Sequence, residues 1–116
     1  MIKGIGIDLI EISRIKEAVD KFGQTFLKRI FTASEIKYCT QKNTYRYASL
    51  AVRFAAKEAY AKALGTGMSG INWTEIEVKN YGSGKPYLLI KGKKAKRAHI
   101  SLSHTHKLAI AQVVIE

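Results

Sequence analysis

Cysteine is almost missing from this sequence. With Cys39 as the sole thiol, no internal disulfide framework can form and no cysteine zinc cluster can assemble within one chain. That usage fits a reducing interior. Proline is equally scarce, a single residue at position 86, while 47% of positions are hydrophobic, which excludes a disordered chain. No stretch approaches the roughly 20 apolar residues of a membrane span. The opening MIKGIGIDLIEI sets glycines and acids inside its apolar run, unlike a signal peptide. The expectation is a cytoplasmic chain without a membrane partner.

Acidic residues are also few. Nine Asp plus Glu against twenty Lys plus Arg leave a formal charge of +11 on 116 residues. Such a field draws polyanions: nucleic acid, an acidic protein, or a multiply phosphorylated small molecule. The length suits one domain over residues 1–116 with a single core, and there are no repeats, linkers or low-complexity segments.

Residues 2–9 alternate, with Ile5, Ile7 and Leu9 on one strand face and Gly4, Gly6 and Asp8 on the other. Ser13 is placed to cap a helix over 14–21, and FGQTFLKRIF continues irregularly helical. Thr32, three residues before Glu35, has the spacing of a capping box for a short helix. A long helix is predicted over about 44–64 and ends in Gly65, Gly67 and Gly70. Strands follow at 73–79, 86–91, 98–103 and 108–115, with the turn NYGSGKP, the basic run KGKKAKR and the turn SHTHK between them. Helices before a run of strands predict an α+β fold, a mostly antiparallel sheet wrapped on the long helix.

At about 100° per residue, Val52, Ala55, Ala56, Ala59, Tyr60 and Ala63 form a broad apolar stripe on that helix. Glu58 and Lys62 fall on one flank, Arg53 and Lys57 on the other. Phe54 and Ala61 point away from the stripe, which predicts that this helix is covered twice, by another subunit, unless Phe54 is simply exposed.

Three places carry chemistry. Asp8 stands on a strand face whose neighbours are glycine, so either there is room beside its carboxylate or the glycines let a helix pack closely and Asp8 caps a turn. Glu58 and Lys62 are spaced as an i,i+4 ion pair, which is also what an ordinary solvated helix face carries. In HISLSHTHK, Ser101, Ser103 and Thr105 share one parity and His104 the other, near Lys107; the pattern suits a phosphate-binding strand end or a structural histidine. No zinc spacing is met. GTGMSG follows a helix and lacks the Gly-Lys-Ser/Thr ending of a P-loop, and no nucleophile elbow is present.

Together, GIGIDLIEISRI, RFAAKEAYAKALGTG, GKPYL and ISLSHTHKLAIAQVVIE resemble the holo-acyl-carrier-protein synthase family of small phosphopantetheinyl transferases, in order and across essentially the whole chain. The resemblance implies transfer of 4′-phosphopantetheine from coenzyme A to a serine of acyl carrier protein, releasing adenosine 3′,5′-bisphosphate, in support of fatty acid biosynthesis. It implies a homotrimer with active sites between subunits. It puts the family's acidic metal ligands on Asp8 and Glu58, for Mg²⁺, and a catalytic lysine near the pyrophosphate on Lys62. Coenzyme A contacts fall on Arg53, Lys62, Gly65, Pro86, His104 and Thr105. Where members carry adjacent basic residues before the long helix, this chain has Thr44 and Tyr45 followed by Arg46, which makes Arg46 the candidate replacement. The serine proton would leave to Glu58 directly or through a metal-bound water, the relay being favoured because a cation lowers the basicity of a ligand carboxylate. Arg14 matches the contact with the small acidic carrier protein, and Lys21, with Lys28 and Arg29 beyond, extends its basic face.

Two other readings compete. A basic nucleic-acid-binding α+β module explains the charge but gives no role to Asp8 or Glu58, and neither an RNP signature nor a KH-type GXXG is present. A noncatalytic trimeric scaffold would not need the acid pair.

Overall fold

In a computed structural model of the chain, residues 1–116 are all described. Strand β1 (Gly4–Glu11) leads into three helices, α1 (Ile12–Phe22), α2 (Gln24–Ile30) and α3 (Ala33–Cys39). A short ribbon of β2 (Thr40–Gln41) and β3 (Thr44–Tyr45) precedes the 18-residue α4 (Tyr47–Leu64). The strands β4 (Ile76–Asn80), β5 (Pro86–Ile90), β6 (Lys93–Lys94), β7 (Ala98–His104) and β8 (Leu108–Ile115) complete the chain. All pairings are antiparallel. The expected sheet around one long helix is divided into two three-stranded sheets, ordered β1-β8-β7 and β4-β5-β6.

Local chemistry sets several boundaries. Thr32 and Glu35 form the capping box that opens α3, each side chain accepting the other's backbone N–H. Gly65 ends α4 in the left-handed conformation, φ 82°, where a side chain is strained. Ser13 does not cap: α1 begins at Ile12, with Glu11 at the N-cap making no side-chain bond there. The long helix starts at Tyr47 because residues 44–45 are taken by the ribbon, and the strand expected from 73 starts at 76 after a 3₁₀ turn, Trp73–Glu75.

The glycine face of β1 packs on α4. A Cβ at Gly6 would overlap the carbonyl oxygen of Ala59, and one at Gly4 that of Ala63, so the helix backbone lies directly against the strand. The missing side chains serve close packing rather than open space. Ala55, Ala56 and Ala59 of the helix are all fully buried. Core residues gather in two groups along α4, one around Leu27, Phe31 and Leu50, the other around Ile76, Val78, Leu88 and Val113.

Within the chain itself the apolar back of α4 is already covered. Phe54 stacks on Trp73 with ring centroids 5.0 Å apart, and Ala61 is 1% exposed. The uncovered apolar surface lies elsewhere: Ile5, Ile7 and Leu9 on the outer face of β1 are 59%, 52% and 58% exposed. Their register partners on β8 are Val114, Gln112 and Ile110, so this sheet presents a broad apolar face to solvent.

Lys57, expected on a polar flank, is fully buried. Its Nζ donates to Glu35 Oε1 at 2.7 Å, to the Ile30 carbonyl at 2.8 Å and to the Trp73 carbonyl at 3.1 Å. Glu35 in turn accepts from the Val78 N–H at 2.9 Å. This ion pair ties α3, α4 and β4 together, and burial lowers the Lys57 pKa despite the opposing charge of Glu35.

Candidate active site

Close packing of β1 on α4 brings two acids together. Asp8 projects from the helix-facing side of β1 and Glu58 from α4, half-buried. Asp8 lies within the strand, opposite Ala111, and caps no turn. Lys62, one turn beyond Glu58, turns to β1 instead of pairing with Glu58: its Nζ donates to the Ile7 carbonyl at 2.9 Å and to Asp8 Oδ1 at 3.2 Å. The pKa of Glu58 is raised, first by burial, then by the negative charge of Asp8, with Lys62 acting in the opposite sense. Two carboxylates therefore feel each other across the strand–helix seam.

That arrangement suits a hard divalent cation. The donors are carboxylate oxygens, and no third His, Cys, Asp or Glu joins them, so a bound ion would keep waters or take oxygens from a ligand, as Mg²⁺ does. A cation would also relieve the repulsion that raises Glu58. Below its raised pKa Glu58 is protonated and neutral, so cation affinity should fall on acidification at a higher pH than for an ordinary carboxylate. Asp8→Asn should move the Glu58 titration, followed by carboxyl-carbon NMR, to lower pH, leaving the burial component in place. An unchanged titration would mean that the two acids are not electrostatic neighbours.

The other predicted residues fall into separate groups. Arg53 is 3% exposed; its Nη2 donates to Asn80 Oδ1 at 2.8 Å, its Nη1 to the Ser49 carbonyl at 3.2 Å, and its Cζ lies 4.3 Å from the centre of the Tyr38 ring. Asn80 is the register partner of Pro86, so Arg53 and Pro86 share one end of the β4–β5 hairpin. Gly65 follows directly on the helical turn that carries Lys62 and donates to the Lys62 carbonyl at 3.0 Å. His104 and Thr105 are exposed at the end of β7. The Thr105 hydroxyl accepts from the N–H groups of Lys107 and Leu108 at 3.2 and 3.1 Å, which builds the turn and leaves the hydroxyl proton to donate. Arg46 is exposed at the N-cap of α4, roughly 24 Å along the helix from Lys62 at 1.5 Å per residue. Within one chain, Asp8, Glu58 and Lys62 meet; Arg46 and the acid pair do not.

On α1, Arg14 is exposed and lies 3.7 Å from Glu11, and Lys21 sits over the Phe22 ring at 5.3 Å. At the Phe22 end of α1 a cavity of about 310 Å³ is lined by Phe22, Phe26, Arg29, Phe54 and Trp73. Sequence reasoning missed it; the sign was Phe54, an aromatic off the apolar stripe of its helix. Asn80 was missed as well, being one polar residue in a turn-rich stretch.

Residues 4–113 match the family model of the 4′-phosphopantetheinyl transferase superfamily. Holo-[acyl-carrier-protein] synthase of Chloroherpeton thalassium is 52% identical over 117 aligned residues, covering 97% of this chain and 96% of that protein. The crystal structure of the Bacillus anthracis holo-(acyl-carrier-protein) synthase in complex with CoA (3′,5′-ADP) superposes with a TM-score of 0.86 at 43% identity, covering 100% of this chain and 97% of the other. The Helicobacter pylori enzyme in complex with coenzyme A superposes with a TM-score of 0.84 at 31% identity, covering 97% and 99%. Fold, family match and full-length likeness agree, and the chain belongs to the holo-[acyl-carrier-protein] synthase family within the 4′-phosphopantetheinyl transferase superfamily.

Proposed function

We propose that this chain, acting as one domain over residues 1–116, transfers 4′-phosphopantetheine from coenzyme A to a serine of apo acyl carrier protein and releases adenosine 3′,5′-bisphosphate, in the service of fatty acid biosynthesis. The observation that carries the reading is the convergence of Asp8, Glu58 and Lys62 from β1 and α4. Coenzyme A bound in the Bacillus anthracis and Helicobacter pylori relatives supports the donor. Mixing the chain with apo carrier, coenzyme A and Mg²⁺ should add one phosphopantetheine to the carrier, read by mass spectrometry; no gain with a competent carrier would overturn the proposal.

In the reaction the serine oxygen bonds to the phosphorus bearing the pantetheine arm, the bridging P–O bond breaks, and the serine proton is released. Asp8 and Glu58 would hold Mg²⁺, which when bound neutralises charge on the diphosphate. Lys62, half-exposed beside Asp8, brings a mobile positive charge to the leaving phosphate. Gly65, without a side chain where α4 ends, lets the backbone come close to the ligand. Glu58 would take the serine proton through an intervening water rather than directly, because a bound cation lowers the basicity of a ligand carboxylate. Positioning and fixed charge supply most of the catalysis. Arg46, Arg53, Pro86, His104 and Thr105 bind the nucleotide end.

Because these residues lie in separate groups within one chain, the site is completed between copies. The outer face of β1 and β8, with Ile5, Ile7 and Leu9 exposed, is the surface that a neighbour in a homotrimer covers; apolar faces of this extent mark interfaces. Ile7→Lys should yield monomers in sedimentation velocity and lose transfer activity, and a variant that stays trimeric would contradict that interface.

The carrier docks on α1. Arg14 and Lys21 offer charge to an acidic partner, and the aromatic cavity lined by Phe22 and Phe54 receives its apolar side chains. Arg14→Ala should raise the carrier KM severalfold, flatten its salt dependence and leave the coenzyme A KM unchanged. A change in the coenzyme A KM alone would contradict the docking site. No helix of the chain is long and apolar enough to cross a membrane. The reading we propose is of a cytoplasmic reaction that needs no nucleic-acid or membrane partner.

A further inference from the structure

Arg53 is a buried cation without an anionic partner, met only by the face of the Tyr38 ring at 4.3 Å and by two neutral oxygens, of Ser49 and Asn80. The residue is 3% exposed, and buried charges are ordinarily paired with an opposite charge. The ion pairs of the chain engage Arg14, Lys16, Lys57, Lys62 and His99, not Arg53. Its side-chain partner is the neutral amide of Asn80, at 2.8 Å, and its Nε is buried without any hydrogen-bond partner. Alongside lies a cavity of about 200 Å³ lined by Ser34, Tyr38, Arg53, Lys79 and Asn80. A positive charge at the wall of a cavity that Lys79 also lines, with no acid within ion-pair distance, is prepared for an anion.

Asn80 makes a second bond. Its Nδ2 donates to the Gly84 carbonyl at 2.9 Å, and its Oδ1 accepts from Arg53, so both ends of the amide are fixed. Gly84 belongs to the turn that delivers Pro86, which pairs with Asn80 across the hairpin. One side chain thus joins the cation on α4 to the turn between β4 and β5. Aspartate would keep the bond to Arg53 but cancel its charge and lose the donor to Gly84. A neutral acceptor with a donor at its other end is what this position requires.

We infer that Asn80 is a positioning residue for coenzyme A: it locks Arg53 to the Pro86 turn while leaving the guanidinium charge uncompensated for a phosphate of the nucleotide. The inference rests on the proposed coenzyme A reading and extends it to a residue that contributes no charge of its own.

The test is direct coenzyme A binding by calorimetry, which needs no turnover, on wild type, Arg53→Ala, Asn80→Ala, the double variant and Asn80→Asp, each checked for fold by circular dichroism. A hydrogen bond to a charged group corresponds to roughly tenfold or more in affinity. Asn80→Ala and Asn80→Asp should therefore each weaken coenzyme A about tenfold or more, and Asn80→Ala should add little once Arg53 is alanine. Wild-type affinity in Asn80→Asp would overturn the inference, because that variant keeps the contact and removes only the charge and the turn bond. An equal loss from Asn80→Ala with and without Arg53 would reduce Asn80 to a turn staple and also overturn it. If Arg53→Ala binds coenzyme A normally, the nucleotide assignment of Arg53 falls too; if Arg53→Ala weakens binding and the Asn80 variants do not, only the role of Asn80 falls.

Discussion

Asp8→Ala and Glu58→Ala each lower the rate of carrier modification by about 10²–10³ at saturating coenzyme A, the loss expected when a fixed electrostatic contact to the transition state is removed. The expectation follows from position. Asp8 stands on β1 and Glu58 on α4, and the glycine–alanine seam that joins those elements keeps the two carboxylates in place without help from a ligand. Neither truncation removes a core side chain, so helix content and the denaturation midpoint should stay near wild type. The loss should appear in turnover more than in the carrier KM, because the proposed docking surface on α1 does not include either acid. Wild-type turnover in both variants would remove the acid pair from the mechanism and leave the convergence unexplained.

Glu35→Ala has the largest expected effect on stability, about 3–5 kcal/mol measured by urea denaturation, because it leaves Lys57 charged or deprotonated in a site sealed from water. Lys57 is fully buried and Glu35 is 1% exposed, so solvent cannot replace the lost partner. The Val78 N–H and the capping box of α3 lose an acceptor in the same variant. Replacing both ends together, as Glu35→Leu with Lys57→Met, should recover much of the loss, since two apolar groups leave no buried charge unpaired. If Glu35→Ala unfolds at the wild-type midpoint, the pair does not bind α3 to α4. Cys39, close by and buried, is pushed up to about 11 by desolvation; it is an inert thiol.

How much of this was legible in the sequence depends on the range of the interaction. The capping box of Thr32 and Glu35 needs three residues of separation and was read correctly, as was the α+β order with antiparallel strands. The parity of β1 was correct, and of the two readings open for its glycine face, room beside Asp8 or close packing of a helix, the structure takes the second, although Asp8 caps no turn. The sequence could not choose between them until the neighbouring helix was known. Lys57 was misplaced for a similar reason. Its partner Glu35 lies on a different helix, and i,i+4 reasoning has no access to a buried pair formed between elements. Periodicity drew attention to Phe54 and Ala61 but left open whether another subunit covers them or Phe54 is simply exposed, because Trp73, which stacks on Phe54, comes from a 3₁₀ turn that had been read as the start of a strand. Asp8, Glu58 and Lys62 were proposed through the resemblance of four motifs, and the packing of β1 on α4 sets Lys62 against Asp8 with Glu58 one turn away. Asn80 escaped because its meaning depends on an unpaired arginine that no local pattern marks.

The account depends on Asp8 and Glu58 gripping the same ion. Titrating Mn²⁺, as an observable stand-in for Mg²⁺, into the coenzyme A-saturated chain and following the free ion by electron paramagnetic resonance tests this directly. The account predicts one ion per active site, with affinity falling more than about tenfold in Asp8→Asn and in Glu58→Gln, since even the residues behind a metal ligand are worth about that much. Wild-type affinity in both variants would contradict it.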